Sequence, residues 1–165
     1  MEDGKYNFTA LTYKGTTSKT LVEALEARNI SVDKKTYYGK AIGQDHLKGK
    51  NIVLIGTPNV PEITYKMVGI MLFGDKIDLN SEFITHEKQE VNEFRLRYGT
   101  FNDPLLKMVQ SYNLESELLQ AVGRARLSRG NNTAILLSRY PLKEADIIHF
   151  QGTTINRMDK DVNSN

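Results

Sequence analysis

Gln120, Arg124, Arg126 and Arg129 fall within ten positions of one short stretch, "ESELLQAVGRARLSRGNNTAILLS" (115–138), with Gly123 among them. A guanidinium is planar and stays charged at physiological pH. Its fork of donors matches a phosphate or a carboxylate. Gln120 and Arg124 are four residues apart, so on a helix they share a face. The stretch reads as an apolar helix running into a buried strand over 133–138, which puts the arginines where the helix ends. Two chemistries suit that placement. Cations there offset the negative end of the helix dipole, or their donor forks hold an anion such as a phosphate.

The elements that must position these groups follow from periodicity and punctuation. The alternating run at 7–13 reads as a strand. Residues 17–29 read as a helix, with Ser18 as its N-cap and Asn29 at its end. A second strand is expected over 34–42. "KNIVLIG" (50–56) is a short continuous apolar run, the mark of a strand covered on both faces. Residues 57–75 read as a helix with Pro61 in its first turn and Gly74 past its apolar end; Met67, Met71 and Leu72 are expected in the core. In the segment 81–99, Phe94, Leu96 and Tyr98 alternate with Glu93, Arg95 and Arg97, the pattern of a half-exposed antiparallel hairpin. Asp103-Pro104 opens a helical region, and Asn113 is expected to break it before the arginine-bearing helix. Residues 145–151 read as an edge strand.

The order of elements predicts an α/β fold. It is an open, mostly parallel sheet flanked by helices, with an inserted antiparallel hairpin. One domain is expected over 1–151, followed by a polar, disordered tail at 152–165. The chain's 165 residues suffice for one core. A net charge of +2 excludes a globally polybasic protein, so any nucleic-acid contact must come from a local patch. The sequence contains no cysteine, which removes disulfides, zinc ribbons and thiol catalysis. His46, His86 and His149 are too scattered for a metal-ligand spacing, so no metal is expected on this chain. No run approaches the roughly 20 apolar residues of a membrane span, and no signal-peptide pattern opens the chain. A cytoplasmic location is the corresponding expectation.

Ligands of open α/β sheets gather outside the carboxyl ends of the strands. Three polar clusters, "YKGTT" (13–17), "YGKAIGQD" (38–45) and "GTPN" (56–59), are expected at such ends, with the arginine-bearing helix end as a fourth. "QAVGRAR" (120–126) resembles motif VI of superfamily-two helicases, in the variant with two arginines separated by one residue. "AIGQDHLKGKNIVLIGTPNVPE" (41–62) resembles motif V and the strand after it, with Gly43 and Asp45 as the Gly-x-Asp pair. "FTALTYKGT" (8–16) resembles motif IV. The three span residues 8 to 138 in the family's order.

The resemblance implies the second, C-terminal RecA-like domain of an ATP-dependent helicase or translocase. Arg124 and Arg126 would be arginine fingers toward the ATP γ-phosphate, with Arg129 the alternative for the second role. Gly43, Asp45, Gln120 and Gly123 would line the nucleotide, Gly123 by allowing close packing beside the arginines. Tyr13, Lys14, Gly15, Thr16 and Lys40 would lie along a nucleic-acid backbone, single- or double-stranded, with DNA favoured. No G-x-x-x-x-G-K-[ST] loop and no acidic D-E-x-H or D-E-x-D box occurs in the sequence. ATP and Mg would therefore be bound mainly by a first, N-terminal RecA-like domain absent from this chain, and the chain alone is expected to be inactive. A non-catalytic nucleic-acid or protein-binding module derived from a helicase half is the alternative.

Overall fold

The computed structural model describes residues 8–12, 17–27, 30–32, 37–38, 46–91, 94–127, 130–146, 148–151 and 154–157. Four strands form a parallel sheet: β1 (Phe8–Leu11), β2 (Ser31–Val32), β3 (Asn51–Ile55) and β6 (Ala134–Leu137), in the spatial order β2-β1-β3-β6. Helix α1 (Thr17–Glu26) connects β1 to β2. Between β3 and β6 lie helix α2 (Glu62–Phe73), strands β4 (Phe83–Val91) and β5 (Phe94–Phe101), and helix α3 (Pro104–Arg124). β4 and β5 form a separate antiparallel pair. The α/β class, the parallel sheet and the inserted hairpin are those expected from the sequence.

β3 is central, and Ile52, Val53 and Leu54 are all buried, which explains a run with no polar alternation. β6 differs. It is the edge strand, and there Ile135 and Leu137 are exposed while Ala134 and Leu136 pack on the core. The expectation of a fully buried strand at 133–138 is corrected accordingly.

α3 is one continuous helix of 21 residues, not two helices broken at Asn113. Its caps and packing explain this. Asp103 Oδ1 accepts from the Leu106 N–H at 2.8 Å. Pro104 occupies the first turn, where its missing N–H costs nothing. Apolar residues on both sides of Asn113 then hold the helix straight. Leu106 and Val109 pack into a core with Tyr65, Ile77 and Phe101. Leu114, Leu118 and Ala121 pack into a second core with Leu11, Ile52 and Leu54 of the sheet. Asn113 itself is half-buried, and its Oδ1 has no hydrogen-bond partner among the described residues.

α2 starts after Pro61 and stops at Gly74, whose φ of 63° lies in the left-handed region that favours glycine. It rests on α3 along a narrow strip. A Cβ on Gly69 would lie 2.9 Å from Leu106 Cδ2 and 3.0 Å from Ile77 Cδ1, so the close approach depends on the glycine. The rest of the helix faces outward. Met67, Met71 and Leu72 are 58%, 82% and 64% exposed, which overturns their assignment to the core. The helix is apolar nearly all round, so its sequence could not say which side would be covered.

Other boundaries moved. α1 includes Thr17 and Ser18, so Ser18 is inside the helix rather than its cap. The second strand is Ser31–Val32, not 34–42, and Tyr37 and Tyr38 are not in a strand; residues 33–36 and 39–45 lie outside those described. The hairpin extends to Phe101, two residues past the expected end; its inward Tyr98 is buried and its outward Arg97 exposed. Ile148–Gln151 (β7) pairs antiparallel with Thr154–Arg157 (β8) instead of joining the main sheet, so part of the segment expected as tail forms a strand. Among the described residues no helix is long and apolar enough to cross a membrane.

Candidate functional site

The arginine-bearing end of α3 lies at the amino-terminal edge of the sheet. α3 ends at Arg124 and the chain enters β6 at Ala134, so the helix terminus must sit where β6 begins. A hydrogen bond from the Gly49 N–H to the Ala125 carbonyl, at 3.2 Å, ties it to the turn at 46–49 that leads into β3. Asn132 Nδ2 donates to the same carbonyl at 3.4 Å. The expectation that this cluster shares the carboxyl edge with "GTPN" is corrected. Gly56 and Thr57 follow the opposite end of β3, which runs from Asn51 to Ile55. At a rise of roughly 3.3 Å per residue, that separates the two clusters by about 16 Å along the strand direction.

The helix terminus has a specific geometry. The Ala125 N–H donates to the Val122 carbonyl at 3.1 Å and the Arg126 N–H to the Gly123 carbonyl at 3.0 Å, so the last turn tightens to a three-residue spacing. The chain then turns at Arg126, whose φ is 52°. It is the one residue other than glycine with positive φ among those described. This is the position after a helix where glycine usually stands, and an arginine there costs about 1–2 kcal/mol of backbone energy.

Arg124, two residues earlier, is half-buried. Its Nε is buried and has no hydrogen-bond partner among the described residues. A buried guanidinium N–H without an acceptor costs on the order of 1–3 kcal/mol. Gln120 is exposed one turn before, and its Nε2 donates to Ser116 Oγ at 3.3 Å along the same helix. The structure therefore brings Gln120, Gly123, Arg124 and Arg126 onto one helix end, with two unfavourable features in three residues.

Gly123 departs from its expected role. It is exposed, and a Cβ on it would meet nothing within 4 Å, so no packing among the described residues requires the glycine. Gly43, Asp45, Tyr13, Lys14, Gly15, Thr16 and Lys40 lie outside the described residues, as does Arg129. The Tyr38 N–H donates to the Thr12 carbonyl at 3.4 Å, which joins the two segments that precede positions 13 and 39.

The carboxyl edge, where "GTPN" (56–59) follows β3, is a second polar cluster. Gly56 leaves β3 with a φ of 102°, and its carbonyl accepts from Tyr38 Oη at 3.2 Å. The hydroxyls of Thr57 and Ser138 hydrogen-bond at 3.0 Å, and the Arg139 N–H donates to Thr57 Oγ1 at 2.9 Å. Asn59 Oδ1 accepts from Gln110 Nε2 at 3.1 Å and from Tyr65 Oη at 3.3 Å. Gln110 is fully buried and also donates to the Gly99 carbonyl at 2.8 Å, linking the hairpin to this loop. Burial pushes the Tyr65 hydroxyl above its ordinary pKa, partly offset by the Val60 N–H that it accepts. Most of these groups satisfy one another and read as a structural joint, although Gln110 Oε1 and the neighbouring Thr100 Oγ1 are buried without a hydrogen-bond partner among the described residues.

Among the described residues no group of three or more histidine, aspartate or glutamate side chains is placed to hold a metal ion. The chain matches no family model, no curated protein and no solved structure.

Proposed function

We propose that this chain is the second RecA-like motor domain of an ATP-dependent nucleic-acid helicase or translocase, supplying arginine fingers from the end of α3. The observation that carries the reading is the α3 terminus: a buried Arg124 Nε, without a partner among the described residues, beside an Arg126 held in a left-handed conformation. Strained backbone and unpaired buried donors persist where a function requires them. An anion would supply the acceptor that no described residue gives Arg124 Nε, and a triphosphate suits a guanidinium donor. In such a site bound ATP with its magnesium, held mainly by a first RecA-like domain, supplies the phosphoryl group. The side chains of this chain position and neutralise it.

The role of each group follows from its chemistry. Phosphoryl transfer is mostly positioning and charge stabilisation, and an arginine finger is worth about 10³–10⁵ in rate in well-studied cases. Arg124, half-buried on the last turn of α3, would present its planar fork to the phosphate. Arg126 is directed by its backbone turn. Gln120, on the same face as Arg124, is available as an amide donor or acceptor one turn away. Nucleic acid would be contacted through its backbone, with binding by the isolated chain weak and falling with salt.

Turnover and ATP affinity in the full-length protein carrying a phosphate-loop domain test this. Arg124→Ala and Arg126→Ala should each lower turnover by at least about 10²-fold with little change in ATP affinity, because the fingers act on charge that develops during transfer. Arg→Lys should rescue poorly, since an ammonium lacks the planar fork. Arg129→Ala should be near neutral. A silent Arg126→Ala with an inactive Arg129→Ala overturns the register, and loss of folding in the first two variants makes the arginines structural. The isolated chain should hydrolyse no ATP with or without single-stranded DNA.

A further inference from the structure

We infer that the outward face of α2 is a self-association surface, packed in solution against α2 of a second copy of this chain. From Ile63 to Leu72 the exposed positions are Ile63, Thr64, Met67, Val68, Ile70, Met71 and Leu72, and none is charged. Lys66, half-buried, turns its Nζ to the Leu79 carbonyl at 2.7 Å. Soluble helices keep a polar side for water, and the outward side of this one is apolar apart from Glu62 and Thr64 in its first turn. Ile63 is 63% and Ile70 45% exposed, alongside the three residues already described. The long, flexible methionines suit a surface that must repack against a partner.

Area favours a second copy over a chance exposure. At roughly 150 Å² for an open aliphatic or methionine side chain, the six apolar residues present about 500 Å². That is near the upper end for a monomer's largest apolar patch. Doubled across a two-fold axis, it comes to at most about 1,000 Å², the lower bound for a biological interface and the size of a weak, concentration-dependent one. Between Ile63 and Leu72 no exposed charge orients a different partner, and the charges lie at the two ends, Glu62 at one and Asp75 and Lys76 at the other.

The helix also offers a centre for the two-fold. Met67 and Met71 stand one turn apart on the side opposite the buried Tyr65 and Gly69. An antiparallel pairing about a point between them sets Met67 of each copy against Met71 of the other. The same pairing brings Ile63 to the turn at Gly74 of the other copy. Gly74 is exposed, with nothing within 4 Å of where a Cβ would be, so it leaves room for that side chain. The inference is independent of the nucleotide reading, because α2 contributes no residue to the α3 terminus.

Sedimentation velocity of the intact chain tests the inference, compared with Met67→Glu and Met71→Glu. Both methionines are exposed, so these variants should keep their circular dichroism and melting temperature. At about 100 µM, above the dissociation constant expected of an interface this small, the wild type should sediment as a dimer and each variant as a monomer. The chain has no cysteine, so Met67→Cys/Met71→Cys should form an intermolecular disulfide on mild oxidation and no higher species. A monomeric wild type at that concentration overturns the proposal, as does a dimer that survives both charge substitutions. Open-ended aggregation also overturns it, since a closed two-fold pairing stops at two copies.

Discussion

Arg126→Gly should stabilise the protein relative to Arg126→Ala even though both lose the same side chain. The backbone φ there is 52°. Any residue carrying a Cβ is strained in that region by about 1–2 kcal/mol, and glycine is not. Glycine gives back about 0.4–1 kcal/mol through the greater freedom of the unfolded chain. The net advantage of glycine over alanine is then on the order of 0.5–1 kcal/mol, or a melting temperature roughly 1–4 °C higher for a domain of this size. Comparing the two variants with each other, and not with wild type, cancels every contact of the arginine side chain. Thermal unfolding followed by circular dichroism, with urea midpoints as a second measure, reads the difference directly. Under the proposed arginine-finger reading, both variants should lose ATP turnover equally when joined to a phosphate-loop domain. An Arg126→Gly protein no more stable than Arg126→Ala would refute the left-handed backbone, and with it the claim that the fold tolerates strain to place this arginine.

Two further outcomes follow from the α2–α3 layer. A Cβ on Gly69 falls 2.9 Å from Leu106 and 3.0 Å from Ile77. Gly69→Ala sets an overpacking cost of about 1–3 kcal/mol against the roughly 1 kcal/mol that alanine gains over glycine inside a helix. The net should be destabilising, and a raised urea midpoint means that α2 does not press on α3. Asp103→Ala removes the α3 cap, which should cost about 1–2 kcal/mol at neutral pH. Burial acts to raise the Asp103 carboxyl, but the N–H donors of Asp78, Leu106 and Leu105 outweigh it and hold the pKa below the ordinary 3.8. A depressed folded pKa means the cap's charge-dependent contribution is present above the ordinary carboxylate value and lost as pH falls through the folded one. The gap between wild type and variant should narrow there. A gap that stays constant from pH 7 down to about pH 3 contradicts the assignment.

What could be read from the sequence was whatever local rules decide. "NIVLI" has too many consecutive apolar residues for any place but the sheet centre. Asp103-Pro104 starts a helix by its own chemistry. Gly74 ends one for the same kind of reason. Position in space was harder to read. Asn113 looks like a break until the apolar residues on either side are seen to serve two cores. Met67 and Met71 look like core because hydrophobicity carries no direction on a helix apolar all round. The site was half legible. Residue types and helical spacing brought Gln120, Arg124 and Arg126 forward as candidates, but no pattern in the sequence fixes the edge of the sheet at which a helix ends. The strain at Arg126 was invisible, since the residue there is not the glycine that such a turn usually signals.

The two cores along α3 differ in how far apart in the chain their members lie, and this bears on how the protein folds. Every pairing within the parallel sheet joins distant segments: Thr9 with Ser31, Ala10 with Val53, Ile52 with Ala134. Each requires a large loop to close before any contact repays the lost chain entropy. Tyr65, Ile77, Phe101, Leu106 and Val109 instead come from one continuous stretch, together with a hairpin whose strands are neighbours in sequence. Once that stretch has collapsed, the long excursion between β3 and β6 becomes a compact body with its ends drawn together. The insertion is thus expected to act as an internal splint that shortens the effective distance the sheet must bridge, with the core around Phe101 forming before the one on the sheet. Hydrogen exchange during refolding that protects β1 and β3 first would contradict this.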